Sequence, residues 1–136
     1  MNLPSPTAAF DLTGQTALIT GGGTCFGFGM ARCLVATGAK VVLVGRRENE
    51  LAKACAALGA GAFPLAGDIT KLATVPALAA AAGQLAGPVT ILINNAGVHL
   101  KKPAVQTSDA EFAGVLETHV SGAFALTREV GRRMVE

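Results

Sequence analysis

The stretch Thr20-Gly21-Gly22-Gly23-Thr24-Cys25-Phe26-Gly27 decides the fold. The apolar run Ala17-Leu18-Ile19 leads into it, and an amphipathic segment leaves it. A strand, a glycine-rich turn and a helix, in that order, form a cradle for a dinucleotide pyrophosphate. Backbone N–H groups at the helix start face the phosphates, and the helix dipole favours their negative charge. Glycines let the backbone turn sharply and approach a ligand closely. Gly21, Gly23, Thr24, Cys25, Phe26 and Gly27 are therefore candidate cofactor-binding residues. Cys25 alone brings a reactive side chain into a turn that wants none.

Working outward, Met1–Ala9 holds two prolines and reads as a loose lead-in. Phe10-Asp11-Leu12-Thr13-Gly14 reads as a turn before a first strand at Thr16–Thr20. Beyond the glycines, Phe26, Met30, Cys33, Leu34 and Thr37 recur at helical spacing, and Gly38 closes that helix. Val41–Val44 is a β-branched apolar run, as expected of a strand buried on both faces of a parallel sheet. Arg46–Leu58 reads as a helix and Ala62–Ala66 as a third strand, placed near a sheet edge by Pro64. Ala73–Leu85 is an alanine-rich helix that tolerates Pro76 in its first turn, and Val89–Ile93 is a fourth strand. His99–Gln106 reads as loop. Ser108-Asp109-Ala110-Glu111 is a capping box, and helical periodicity then runs through Phe112, Val115, Leu116, Val120, Phe124, Leu126 and Val130, with Gly122 as a point of bending. Repeated strand–helix units predict an α/β fold: a Rossmann-type, doubly wound parallel sheet with right-handed crossovers and helices on both faces.

Composition narrows the function. The chain has 136 residues, one domain or part of one, and is 51% hydrophobic and 15% charged. A net charge of +2 gives no argument for nucleic acid or an anionic membrane surface. Cys25, Cys33 and Cys55 are odd in number and lack metal-ligand spacing, so no metal site is expected and the thiols are read as reduced. Met1–Phe10 has neither the basic start nor the apolar core of a secretory signal, and no run is long enough to cross a bilayer. These features predict a soluble, cytoplasmic protein.

Taken together, the motifs resemble those of the short-chain dehydrogenase/reductase family. The matching residues are Phe10–Gly14, then Thr20-Gly21 opening the family's T-G-x-x-x-G-x-G turn. Asp68-Ile69-Thr70, Asn94-Asn95-Ala96-Gly97 and the capping-box helix follow in family order. The resemblance covers nearly all of the chain from Phe10 onward. His99-Leu100-Lys101-Lys102-Pro103 with Thr118-His119-Val120 is similar to the branch that contains gluconate 5-dehydrogenases and related sugar-acid dehydrogenases. The resemblance implies that Gly21 to Gly27 cradle the pyrophosphate. It also implies that Asp68 binds the adenine amino group with Ile69 beside the ring, and that Asn95, Ala96 and Gly97 line the ribose and nicotinamide side. Two plainer readings stand beside these: Asp68 as a turn or N-cap residue, and Asn94–Gly97 as an ordinary strand-end turn.

In this fold an acidic residue after the second strand binds the ribose 2′-hydroxyl of NAD, whereas arginine accommodates the 2′-phosphate of NADP. Arg46 stands at the acid's position with Arg47 beside it, so NADP is preferred over NAD. Solvated helix-start arginines, with Glu48 softening the preference, are the alternative.

The resemblance implies hydride transfer between nicotinamide and a hydroxyl or carbonyl substrate, a sugar acid being one candidate. That chemistry uses a Ser–Tyr–Lys set and a helix asparagine. The chain contains no tyrosine, and Arg132-Arg133-Met134-Val135-Glu136 stops inside helical periodicity. The expectation is a truncated chain that carries the cofactor half without the reaction half, inactive alone, its fourth strand an open edge. His119 occupies the helix-asparagine position, either as a relay residue or as a histidine bonded to backbone; His99 either faces substrate or is solvated. The family's long helix pairs across a subunit interface, which implies a homo-oligomer. Three functions remain open: an NAD(P)-dependent oxidoreductase acting on a small molecule, a non-catalytic dinucleotide-binding module, and a degenerate fragment.

Two registers of the glycine turn compete. One uses Gly21, Cys25 and Gly27; the other slides to Gly23, Gly27 and Gly29. The resemblance favours the first: it keeps the family's threonine ahead of the first glycine, and Gly27 stands at the family's spacing of about three helical turns before the closing Gly38, where Gly29 falls short. It predicts backbone strain at Cys25 if the position needs positive φ, or steric interference with the cofactor if it does not. Cys25 is then either a redox switch at a helix N-terminus or a tolerated small side chain that weakens binding.

Overall fold

Alternating strands and helices wind into one parallel sheet. The structure, a computed structural model, describes residues 8–136. The elements are β1 (Thr16–Thr20), α1 (Cys25–Ala36), β2 (Lys40–Gly45), α2 (Glu48–Leu58), β3 (Ala62–Ala66), α3 (Val75–Ala86) and β4 (Ile91–Ile93). They are followed by α4 (Asp109–Leu116), a π-helical segment (Glu117–Gly122) and α5 (Ala123–Val135). The strand order is β3-β2-β1-β4, and every pairing is parallel.

The pleat sends alternate side chains to opposite faces. Leu18, Val42 and Val44 meet α3 and α5 through Val75, Ala79, Ala82, Leu126 and Val130. Ala17, Ile19, Val41 and Leu43 meet α1 and α2 through Ala31, Leu51, Ala54 and Cys55. Two cores on one sheet make the three-layer, doubly wound architecture. The central strands β1 and β2 are buried on both faces, which is why their sequences are continuous apolar runs. β3 pairs only with β2 among the described residues, and this edge place tolerates Pro64, which has no N–H to donate.

Some expectations need correction. Of the expected loose lead-in Met1–Ala9, the first seven residues lie outside the described residues, and Ala8–Phe10 forms a short 3-10 turn. The turn at Phe10–Gly14 is present, with Thr13 N–H donating to Asp11 Oδ1 at 2.9 Å. In α1 the expected stripe is buried only in part. Phe26 is 85% exposed and Cys33 is exposed, while Gly27 and Ala31 are buried. Leu34 of that stripe does pack against the core, with Phe28 and Val35 beside it, while the small residues Gly27 and Ala31 make the closest approach to the sheet. Helix α2 starts at Glu48 rather than Arg46, and β4 is trimmed to Ile91–Ile93. The long last helix is interrupted by the π-helical segment that ends at Gly122. There a Cβ would lie 2.8 Å from the Ile69 carbonyl, so the missing side chain lets the helix approach the loop after β3. The capping box is complete: Ser108 N–H donates to Glu111 Oε2 at 2.8 Å, and Glu111 N–H donates to Ser108 Oγ at 3.3 Å.

Candidate functional site

The carboxyl ends of the four strands open into a cleft of about 350 Å³. In open α/β sheets this is where ligands bind. Gly21, Gly23, Thr24, Cys25 and Phe26 line it from the β1–α1 turn, and Arg46 and Arg47 from the end of β2. Asp68 and Ile69 enter from the loop after β3, and Asn95, Ala96 and Gly97 from the end of β4. Of the remaining candidates, Gly27 is buried behind the turn, and His119 borders a separate groove of about 680 Å³ that it shares with His99, Lys102 and Phe112.

The geometry of the turn settles its register. Gly21 has φ +65, and Cys25, at φ 49, is the one non-glycine residue with positive φ among the described residues. A Cβ at Gly27 would collide with the Gly21 carbonyl oxygen and lie 2.7 Å from Asn95 Nδ2, whereas one at Gly29 would meet nothing. Gly21, Cys25 and Gly27 therefore carry the turn. By helix geometry the N–H groups of Cys25, Phe26 and Gly27 lack an acceptor within α1, which leaves them free for an anion.

The two ends of the cleft are stitched together through polar contacts. Thr20 Oγ1 accepts from Asn95 N–H at 3.0 Å and from Ala96 N–H at 2.9 Å. Asn95 Nδ2 donates to the carbonyls of Thr20 at 3.0 Å and Gly21 at 3.1 Å. Asn95 thus holds the β4 turn against the β1 turn. Asp68 Oδ1 accepts from Thr70 Oγ1 at 2.7 Å and from Thr70 N–H at 3.0 Å. The Thr70 hydroxyl first, then its N–H and the charges of Arg46 and Lys71, hold the Asp68 carboxyl below the usual carboxylate range. An ionised Asp68 can still accept from a ligand amino group. Arg46 and Arg47 are exposed, and among the described residues neither has an ion-pair partner.

The family model for short chain dehydrogenase matches residues 15–136. The chain belongs to this family. Among its relatives, galactitol 2-dehydrogenase (L-tagatose-forming) of Cereibacter sphaeroides is 37% identical over 127 residues, covering 93% of this chain and 50% of the relative. Gluconate 5-dehydrogenase of Gluconobacter oxydans (strain 621H) is 34% identical over 129 residues, with 93% and 50% covered. The crystal structure of 3-ketoacyl-(acyl-carrier-protein) reductase from Brucella melitensis complexed with NADH superposes with a TM-score of 0.86 at 38% identity. It covers 90% of this chain and 51% of that one. The chain spans about half the length of the curated relatives it matches. The family is one of oxidoreductases that bind a nicotinamide cofactor.

Sequence reasoning passed over several residues of this cleft. Thr20 is buried and holds the β4 turn, though its place just before Gly21 was a visible signal. Val98 and Thr118 also line the cleft. Thr118 reaches it from the π-helical segment, which no periodicity rule announces. Among the described residues, no helix is long and apolar enough to cross a membrane.

Proposed function

We propose that this chain is the cofactor-binding half of an NADP-preferring oxidoreductase, with the cleft over the strand ends as the dinucleotide site. The observation that carries the reading is the turn at Gly21–Gly27: unpaired helix-start N–H groups face a cleft, and Gly27 packs where no Cβ fits. These residues fit a pyrophosphate. Arg46 and Arg47 take the ribose 2′-phosphate, Asp68 the adenine amino group, and Ile69 packs beside the ring. Asn95, Ala96 and Gly97 bound the ribose and nicotinamide end. When bound, the nicotinamide supplies or accepts a hydride. The residues of this chain orient it and exclude water from one face.

The acid–base set of the reaction lies outside these residues, since the chain has no tyrosine. Of that set it offers only His119, at the helix-asparagine position. We therefore expect no turnover by the chain alone, and a small hydroxyl or carbonyl substrate, a sugar acid among the candidates, for the whole enzyme. The apolar stripe Phe112, Leu116, Val120 and Phe124 is exposed along α4, the π-helical segment and α5, and supports pairing with a second copy.

The test is a fluorescence titration of the chain with NADPH and NADH. NADPH is expected to bind more tightly, and Arg46→Asp to reverse the order. Equal affinities that Arg46→Asp leaves unchanged would contradict the 2′-phosphate role.

A further inference from the structure

His119 stands between the cofactor cleft and the neighbouring groove. Its ring projects from the π-helical segment, the kind of irregular turn that re-aims a helix side chain. Nε2 lies 3.1 Å from the Val98 nitrogen and 2.9 Å from the Val98 carbonyl oxygen. The adjoining Gly97 backbone is close as well: a Cβ there would lie 2.6 Å from the ring Cε1. Gly97 and Val98 both line the cofactor cleft, so the imidazole braces the backbone that forms one end of it.

The chemistry of the ring makes this brace robust. A bare Nε2 accepts from the Val98 N–H, and a protonated Nε2 donates to the Val98 carbonyl. One bond is available in either neutral tautomer and in the imidazolium, so the tie survives wherever the proton sits. We infer that His119 is a positioning residue, which holds the Gly97–Val98 segment in place for the nicotinamide end of the cofactor through its Nε2 on the Val98 backbone. The role rests on the cofactor reading proposed above. Glutamine can place an amide at the reach of Nε2, whereas asparagine ends near the position of Nδ1.

The test uses two probes on the 136-residue chain. NADPH spans the whole cleft, and adenosine 2′,5′-bisphosphate occupies only the adenine end. His119→Ala is expected to weaken NADPH roughly three- to tenfold, the range for one lost hydrogen bond, and to leave the bisphosphate unchanged. His119→Gln restores most of the NADPH affinity and His119→Asn does not. In the free chain, the Val98 amide resonance shifts in His119→Ala and returns toward its original place in His119→Gln. Unchanged NADPH affinity in His119→Ala, or equal weakening of both probes, would overturn the positioning role. An unmoved Val98 amide would overturn the tie itself. Failure of both probes to bind the unsubstituted chain overturns the cofactor reading, and the positioning role falls with it.

Discussion

At the residue scale, Cys25 is where this chain departs most from what its turn requires. The left-handed backbone at φ 49 costs a non-glycine residue roughly 1–2 kcal/mol. Glycine would remove that strain but adds about 0.5–1 kcal/mol of unfolded-state entropy. Cys25→Gly is therefore expected to change stability by no more than about 1 kcal/mol in urea denaturation while raising NADPH affinity. Cys25→Ala keeps a Cβ in the same conformation and should not raise it. Gly27 behaves differently, because its constraint is the Gly21 carbonyl and the Asn95 amide packed against it. Gly27→Ala should destabilise the chain by about 1–3 kcal/mol, the usual range for overpacking against groups that cannot yield. The register that makes Cys25 a departure was legible from the spacing to Gly38. The bonds made by Thr20 and Asn95 were not, because they join residues some 75 positions apart in sequence.

At the scale of elements, the sequence read well where burial is two-sided. β1 and β2 announce themselves as apolar runs because both faces are covered. α1 was read only in part: Leu34 packs on the core as expected, but the fully buried positions are Gly27 and Ala31, while Phe26 projects outward beside the cleft. The interruption of the last helix was legible in Gly122, but its π-helical form was not, because the close approach of Gly122 to the Ile69 carbonyl joins residues far apart in sequence. The capping box of α4 was legible, since Ser and Glu three residues apart are a local signal. Lys102 first, then Ser108, hold the Glu111 carboxyl below the usual carboxylate range. A carboxylate with a depressed folded pKa contributes stability above its unfolded pKa and loses it as pH falls through the folded value. The first turn of α4 should therefore fray on acidification through and below the ordinary carboxylate range. Amide resonances of Ser108 and Glu111 followed against pH would show the transition, and Glu111→Gln should remove it.

At the scale of the molecule, the sheet order β3-β2-β1-β4 places the ends of all four strands along a single cleft. The repeated strand–helix units implied a parallel sheet, and Pro64 an edge place for β3, but the strand order and the convergence of Arg46, Asp68, Gly21 and Asn95 on one trough needed the fold. β4 pairs only with β1 among the described residues, and Phe112, Leu116, Val120 and Phe124 are exposed in a row along α4, the π-helical segment and α5. If the stripe joins two copies, Phe112→Glu or Phe124→Glu should shift the chain toward monomer in sedimentation velocity, with circular dichroism unchanged. The central claim is that the cleft is a dinucleotide site, and amide-shift mapping of the isotopically labelled chain during NADPH titration tests it most directly. The account predicts shifts confined to Gly21–Gly27, Arg46–Arg47, Asp68–Ile69 and Asn95–Val98, growing larger at equal cofactor concentration in Cys25→Gly. An absence of shifts in both chains, or shifts centred away from these four segments, would contradict it.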